Sequence, residues 1–178
     1  MHKQRRMSWM KTLAGWACSL LLIIAGCRGE IDHQIDLLSA DGISVKLNST
    51  GEVFWIDTSG ATLNEHFWET LSNFEQLEQL TLTGSPVTDA DLPQLTSLHA
   101  LQSLDLSYTR VTPSGLHVLS RIEDLQTLSL NGVPLDDKAV EPLCRLTRLR
   151  SLSLMDSGLE NESVVGIQQA LPGCLIVR

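Results

Sequence analysis

The chain has 178 residues, 43% of them hydrophobic, with 13 basic and 21 acidic side chains and a net charge of −8. That is enough chain for one domain with a real core. The acidic balance argues against nucleic acid as a partner and against a surface that lies flat on anionic lipid.

Residues 1–11 carry Lys3, Arg5, Arg6 and Lys11 and no acid, residues 12–24 are almost wholly apolar, and Ala25 and Gly26 are small. A basic stretch, a short apolar stretch and small residues are the three parts of a secretory signal. The apolar run is about 13 residues, and a spanning helix needs roughly 20. Residues 1–26 are therefore read as a cleaved signal and not as a lasting transmembrane helix.

Ile24-Ala25-Gly26-Cys27 resembles the lipobox of bacterial lipoproteins: an aliphatic residue, two small residues, then Cys. The resemblance implies a diacylglycerol on the Cys27 thiol, cleavage before Cys27, and an acylated N-terminus. Two or more acyl chains anchor stably, where one holds only marginally. A plain secretory signal would end in an A-x-A-like site, and none is evident. Cys18 follows Trp16 and Ala17 and fits the lipobox worse, and Met7-Ser8-Trp9 after Arg5-Arg6 fits a twin-arginine signal badly. Cleavage would remove four basic residues and leave a net charge of −12. In the enteric lipoproteins that this segment resembles, Asp after the acylated Cys signals inner-membrane retention. Arg28 stands there instead. The expected location is exported and membrane-anchored: the outer membrane in a two-membrane bacterium, otherwise the outer face of the plasma membrane.

Residues 27–40 are read as a lipid-anchored tether and 41–52 as an N-terminal cap. Within the cap, residues 43–47 alternate as a strand, and Asn48-Ser49-Thr50-Gly51 makes a turn. The same Asn48-Ser49-Thr50 fits a glycosylation sequon, but in this setting it reads as a turn.

From residue 53 to 178 the chain repeats. Leu77, Leu101, Leu125 and Leu149 lie 24 residues apart, as do Leu80, Leu104, Leu128 and Leu152, and Leu82, Leu106, Leu130 and Leu154. Val87, Val111, Leu135 and Leu159 follow five positions on. Three further apolar columns come after: Trp68, Leu92, Leu116, Val140 and Val164; Leu71, Leu95, Leu119, Leu143 and Ile167; Phe74, Leu98, Ile122, Leu146 and Ala170. Val53 and Ile56 begin a degenerate first copy, and Cys174–Arg178 is expected to supply a last strand.

This L-x-x-L-x-L unit resembles the leucine-rich-repeat family, and Leu104 to Leu116 resembles its bacterial version. The resemblance implies a fold of the α/β class. It is a curved solenoid of about five repeats plus a terminal strand, with a parallel β-sheet on the concave face and short helices or 3₁₀ turns on the convex face. The residues agree. Leu80-Thr81-Leu82 alternates as a strand does, and apolar residues at 92, 95 and 98 suit a helical or 3₁₀ segment with one buried face. Thr88 with Asp91 reads as a capping box, and Thr112-Pro113 places Pro at a first helical position. Pro93 and Pro142 lie deeper and predict short or irregular convex segments. The family often carries a polar residue three positions after the third Leu, bonding the backbone of the bend. Here the series is Ala61, Ser85, Thr109, Val133 and Ser157, so at Ala61 and Val133 the backbone must be satisfied otherwise.

The concave positions are Trp55, Asp57 and Ser59; Gln79, Thr81 and Thr83; Ser103, Asp105 and Ser107; Thr127, Ser129 and Asn131; Ser151, Ser153 and Met155, with Tyr108 beside them. Family resemblance makes this the candidate binding face. It is hydroxyl-rich and poor in the aromatic and Arg anchors that carry tight binding. No base accompanies the hydroxyls, because His66, His99 and His117 fall on turns and convex segments and His33 in the tether. No catalytic residue, metal ligand set, phosphate loop or cofactor site is expected. Glu65, Asp89, Asp91, Asp136, Asp137, Glu160 and Glu162 gather where convex segments begin, and Arg121, Arg145 and Arg148 where they end. Helix capping and dipole matching account for both sets, against the alternatives of a cation rim and an anion rim. Cys144 and Cys174 are placed in different layers, too far apart to bridge. The sequence thus points to a lipid-anchored, non-catalytic binding module with a protein or glycan partner. The alternative is a structural envelope lipoprotein with a spacing or self-assembly role.

Overall fold

A computed structural model of the chain describes Gly29 and residues 31–178. The expected signal segment 1–26, the expected acylation site Cys27 and the start of the expected tether lie outside the described residues. The chain divides into two compact units, Met1–Leu37 and Leu38–Arg178. In the first, residues 31–37 are helical, so the span read as a tether has helical structure of its own; this helix, α1, runs over 31–40. It ends where Gly42 takes φ +82°. The Asp41 and Ile43 N–H groups reach the Leu38 carbonyl at 3.1 and 3.0 Å, and the Gly42 N–H reaches Ser39 at 3.1 Å. Only Gly adopts that left-handed C-terminal turn without strain. No described helix is long and apolar enough to cross a membrane.

The second unit is a solenoid. Its strands are β1 (Ser44–Leu47), β2 (Val53–Asp57), β3 (Gln79–Thr81), β4 (Ser103–Asp105), β5 (Thr127–Ser129), β6 (Ser151–Ser153) and β7 (Leu175–Val177). Between them lie α2 (Glu65–Leu71), the 3₁₀ helix η1 (Leu92–Ser97), α3 (Leu116–Leu119), η2 (Asp137–Ala139) running into α4 (Val140–Cys144), and α5 (Asn161–Ala170). The strands form one seven-stranded sheet in chain order. β1 pairs antiparallel with β2, closing the first end, and β2 to β7 pair parallel. Trp55, Gln79, Ser103, Thr127, Ser151 and Leu175 are successive register partners, so one 24-residue turn advances the chain by one strand.

The leucine columns pack inside. Leu77, Leu80, Leu82, Leu101, Leu104, Leu106, Leu125, Leu128, Leu130, Leu149, Leu152 and Leu154 are all buried. A strand turns its side chains alternately to opposite faces, so the residues between these leucines face out. At the convex layer the columns slip by one residue at three places, one of them internal, where Ala139 is buried and Val140 only half-buried. Phe67 is buried where Trp68 was expected, because Asn64 caps α2 through its Phe67 N–H bond (3.0 Å) and sets that helix's phase. Leu171 is buried where Ala170 was expected, at the end of α5. Pro113 precedes α3 rather than starting it, since Thr112 is tied to the previous turn: its N–H and hydroxyl bond Asp89 at 2.8 and 2.6 Å. Pro93 and Pro142 stand in first turns, where a missing N–H costs no internal bond. Thr88 and Asp91 do bond, the Thr88 N–H reaching Asp91 Oδ2 at 2.8 Å.

The gaps in the polar column are closed by backbone. The Ala61 and Val133 N–H groups reach the carbonyls of Thr58 and Leu130 at 2.9 and 3.2 Å, as Ser85 and Ser157 reach Leu82 and Leu154. Beneath Ala61, Thr58 takes the place of a core leucine. Its hydroxyl bonds the Thr81 carbonyl and the Ser85 hydroxyl, each at 3.0 Å. A buried hydroxyl needs such partners, and both are inside the repeat.

Candidate functional site

The sheet's outward residues form the face that the register predicts, but they are not equally available. Gln79 and Met155 are exposed. Thr81, Thr83, Ser103, Thr127, Ser129, Asn131, Ser151 and Ser153 are half-buried among their neighbours. Ser107 is buried, and its hydroxyl accepts the Asn131 N–H at 3.2 Å, so it is a structural group and not part of an open face.

The two carboxylates of the face are occupied. Asp57 accepts the Ser59 N–H at 2.9 Å and Asp105 the Ser107 N–H at 2.8 Å. Each closes the end of its own strand in the two-residue loop that Asp favours. Asn131 does the same job across repeats, accepting the Met155 N–H at 2.9 Å and the Ser153 hydroxyl at 2.7 Å. Trp55 is covered by the Lys46 ammonium, 3.9 Å from the ring centroid. A cation over an indole face is an attractive pair, so this aromatic is engaged by the cap strand.

The last strand was expected at Cys174–Arg178, but two features of the face were not read from the sequence. β7 extends the face, because Leu175 and Val177 are register partners of Ser151 and Ser153. They are 66% and 40% exposed, so the far end of the face is apolar. Adding 24 to Ser151 and Ser153 would have found them. The second feature is a column of left-handed residues three positions past the ends of β2 to β6: Gly60, Gly84, Tyr108, Gly132 and Asp156. Three are Gly, which carries no penalty there, but Tyr108 takes φ +56° and Asp156 φ +55°. The column was visible as Gly at 60, 84 and 132. Tyr108 is 60% exposed, and its ring lies over Gly132: a Cβ on Gly132 would stand 2.4 Å from two ring carbons.

Of the rim charges, Asp136 and Asp91 bond within their own segments, whereas Asp89, Asp137 and Arg148 bond across to neighbouring turns. Asp136 accepts the Lys138 N–H at 3.0 Å, Asp137 accepts the Ser163 hydroxyl at 2.5 Å, and Asp89 and Asp91 hold Thr112 and Thr88. Arg145 pairs with Glu141 at 2.5 Å, and Arg148 pairs with Asp124. Among the described residues, no group of three or more His, Cys, Asp or Glu side chains could hold a metal. Cys144 and Cys174 are free thiols, and burial raises the pKa of both above the usual thiol value.

No family model matches the sequence, and no curated protein does either. Solved structures resemble it. One is a leucine-rich-repeat protein of Leptospira interrogans, 22% identical over 66% of this chain and 28% of that one, with TM-score 0.47. Another is an internalin of Listeria monocytogenes, 18% identical over 66% of this chain and 38% of that one, with TM-score 0.46. A third is the leucine-rich-repeat ectodomain of an Arabidopsis thaliana membrane receptor kinase, 21% identical over 75% and 19% of the two chains, with TM-score 0.45. This chain thus spans less than two fifths of the length of each. The fold itself, a leucine-rich-repeat solenoid, stands on the 24-residue register of the parallel sheet.

Proposed function

We propose that this protein is a lipid-anchored, non-catalytic binding module whose concave sheet face receives a protein or glycan partner outside the cell. The observation that supports it is the makeup of that face. Hydroxyls from β3 to β6 occupy its middle, and Met155, Leu175 and Val177 stand exposed toward its far end. A polar field with an apolar end offers hydrogen bonds for orientation and desolvated area for affinity. Six parallel strands at about 4.8 Å give a surface of roughly 25 Å, the size of one peptide or domain-edge contact. Among the described residues no His lies on this face, and its Lys46 is stacked on Trp55 at the first end, away from the β4 to β6 hydroxyls, which favours binding over hydrolysis.

Anchoring rests on the Ile24–Cys27 sequence, and intact mass of the membrane-extracted protein tests it. The expected mass is residues 27–178 plus acyl chains, lost in Cys27→Ser. A lipid-free mass beginning elsewhere would remove the membrane from this reading. Binding is tested by pull-down from the same extract with Ser103→Arg and Ser129→Arg, which place bulk in the middle of the face. A partner retained equally by wild type and both variants would place recognition elsewhere.

A further inference from the structure

The C-terminal end of the solenoid holds a hollow of about 660 Å³ that the binding face does not explain. It opens on the edge where strands begin, between the turn leading into β6 and the one leading into β7. Leu149 and Leu171 are buried beneath it, and Gln126, Arg148, Arg150 and Pro172 stand around it. No carboxylate lines it. That is unusual for a chain with net charge −8, in which residues 31–178 carry only eight Lys and Arg. Two of the eight meet here.

The local chemistry favours an anion. Arg148 spends one guanidinium nitrogen on Asp124, which fixes the side chain across neighbouring repeats and leaves other N–H donors. Arg150 makes no ion pair among the described residues. Just past α5, Gln168 Nε2 donates to the Leu171 and Cys174 carbonyls at 3.2 and 3.0 Å and so occupies two of the carbonyls near the cleft. Gln126 donates to Gln102 at 3.3 Å and so stands ordered in line with Arg150. Two guanidiniums and a fixed carboxamide suit a ligand with three or more acceptor oxygens, and planar guanidinium forks match phosphate oxygens in pairs. The hollow is much larger than a phosphate, and its floor is apolar. We propose that this cleft binds the phosphate monoester of a small polar molecule, separately from any partner on the sheet face.

The test is an amide NMR titration of the protein with glycerol phosphate, with glycerol and acetate as comparison ligands at matched ionic strength. The expected result is saturable shifts at Gly173, Leu171 and the Gln126 side-chain amide with glycerol phosphate alone. Arg150→Gln should weaken the affinity about tenfold or more, as loss of a charge-assisted pair does. Arg150→Lys keeps the charge but not the fork and should fall between the two. Arg121→Gln, outside the cleft, should bind as wild type. The same spectra report whether each variant is folded. No saturable shift would overturn the proposal, as would equal shifts with acetate, or undiminished binding by folded Arg150→Gln and Arg150→Lys.

Discussion

Substituting Gly132 with Ala should destabilise the solenoid more than the same change at Gly84. Both residues are left-handed, φ +66° and +69°, so an alanine at either carries the conformational penalty of roughly 1–2 kcal/mol. Space separates them. Around a Cβ at Gly84 nothing lies within 4 Å, whereas at Gly132 the Tyr108 ring stands 2.4 Å away. Carbon contacts are normally about 3.5–4.0 Å, so the ring must swing off. Tyr108 is 60% exposed, so its covered part is roughly 80 Å² of the 150–250 Å² that an aromatic side chain can bury. At about 25 cal/mol per Å² the ceiling is about 2 kcal/mol. The ring can settle elsewhere and the unfolded chain covers part of it already, so about half that is expected. Gly132→Ala should therefore cost about 1 kcal/mol more than Gly84→Ala. Urea denaturation reads this as a lower midpoint at unchanged slope. A double-mutant cycle with Tyr108→Gly isolates the ring: in that background the extra cost should vanish. Equal costs at Gly84 and Gly132, or an excess that persists without Tyr108, would refute the seated ring.

Thr58→Val keeps the shape of the side chain and the Thr58 N–H bond to the Thr81 carbonyl but leaves the buried Ser85 hydroxyl without its partner, so it should cost about 1–3 kcal/mol by urea denaturation; a neutral effect would mean that Ser85 finds another acceptor. The Glu52 carboxyl is held below its ordinary value first by the Thr50 hydroxyl, 2.6 Å away, and then by Asn48, with burial opposing slightly. A lowered folded pKa gives stability that is present above the unfolded value and lost as pH falls through the folded one. Carboxyl NMR should therefore show Glu52 titrating below an ordinary exposed glutamate and returning toward it in Thr50→Ala. No change in that variant would remove the hydroxyl as the cause.

How much of this was legible depended on periodicity. The leucine columns gave the parallel register because a strand turns alternate residues inward and the 24-residue spacing repeats without a break from Leu77 to Leu154. The columns misled at the ends and once between them, where Ala139 rather than Val140 is buried. Trp68 and Ala170 share the repeat's phase, yet the Asn64 cap and the end of α5 bury Phe67 and Leu171 instead. The candidate face was legible as positions but not as chemistry. Spacing puts Asp57, Asp105 and Ser107 on the sheet, but it cannot say that their polar atoms close strand ends and loops. Nor does it show Lys46 lying on Trp55, which depends on antiparallel pairing of β1 with β2. The Arg148–Arg150 cleft escaped because its walls come from two successive turns and a loop, 20 or more residues apart.

The central claim is that the concave sheet face is where this protein meets its partner. A photo-crosslinking amino acid placed at Ser129, in the middle of the sheet, tests it beside one at Gln94, on the convex 3₁₀ helix η1. Both proteins are irradiated in the native membrane and compared by gel and mass spectrometry. The account predicts a discrete crosslinked species from position 129 and none from position 94. A species from position 94 alone would contradict it and turn the molecule around.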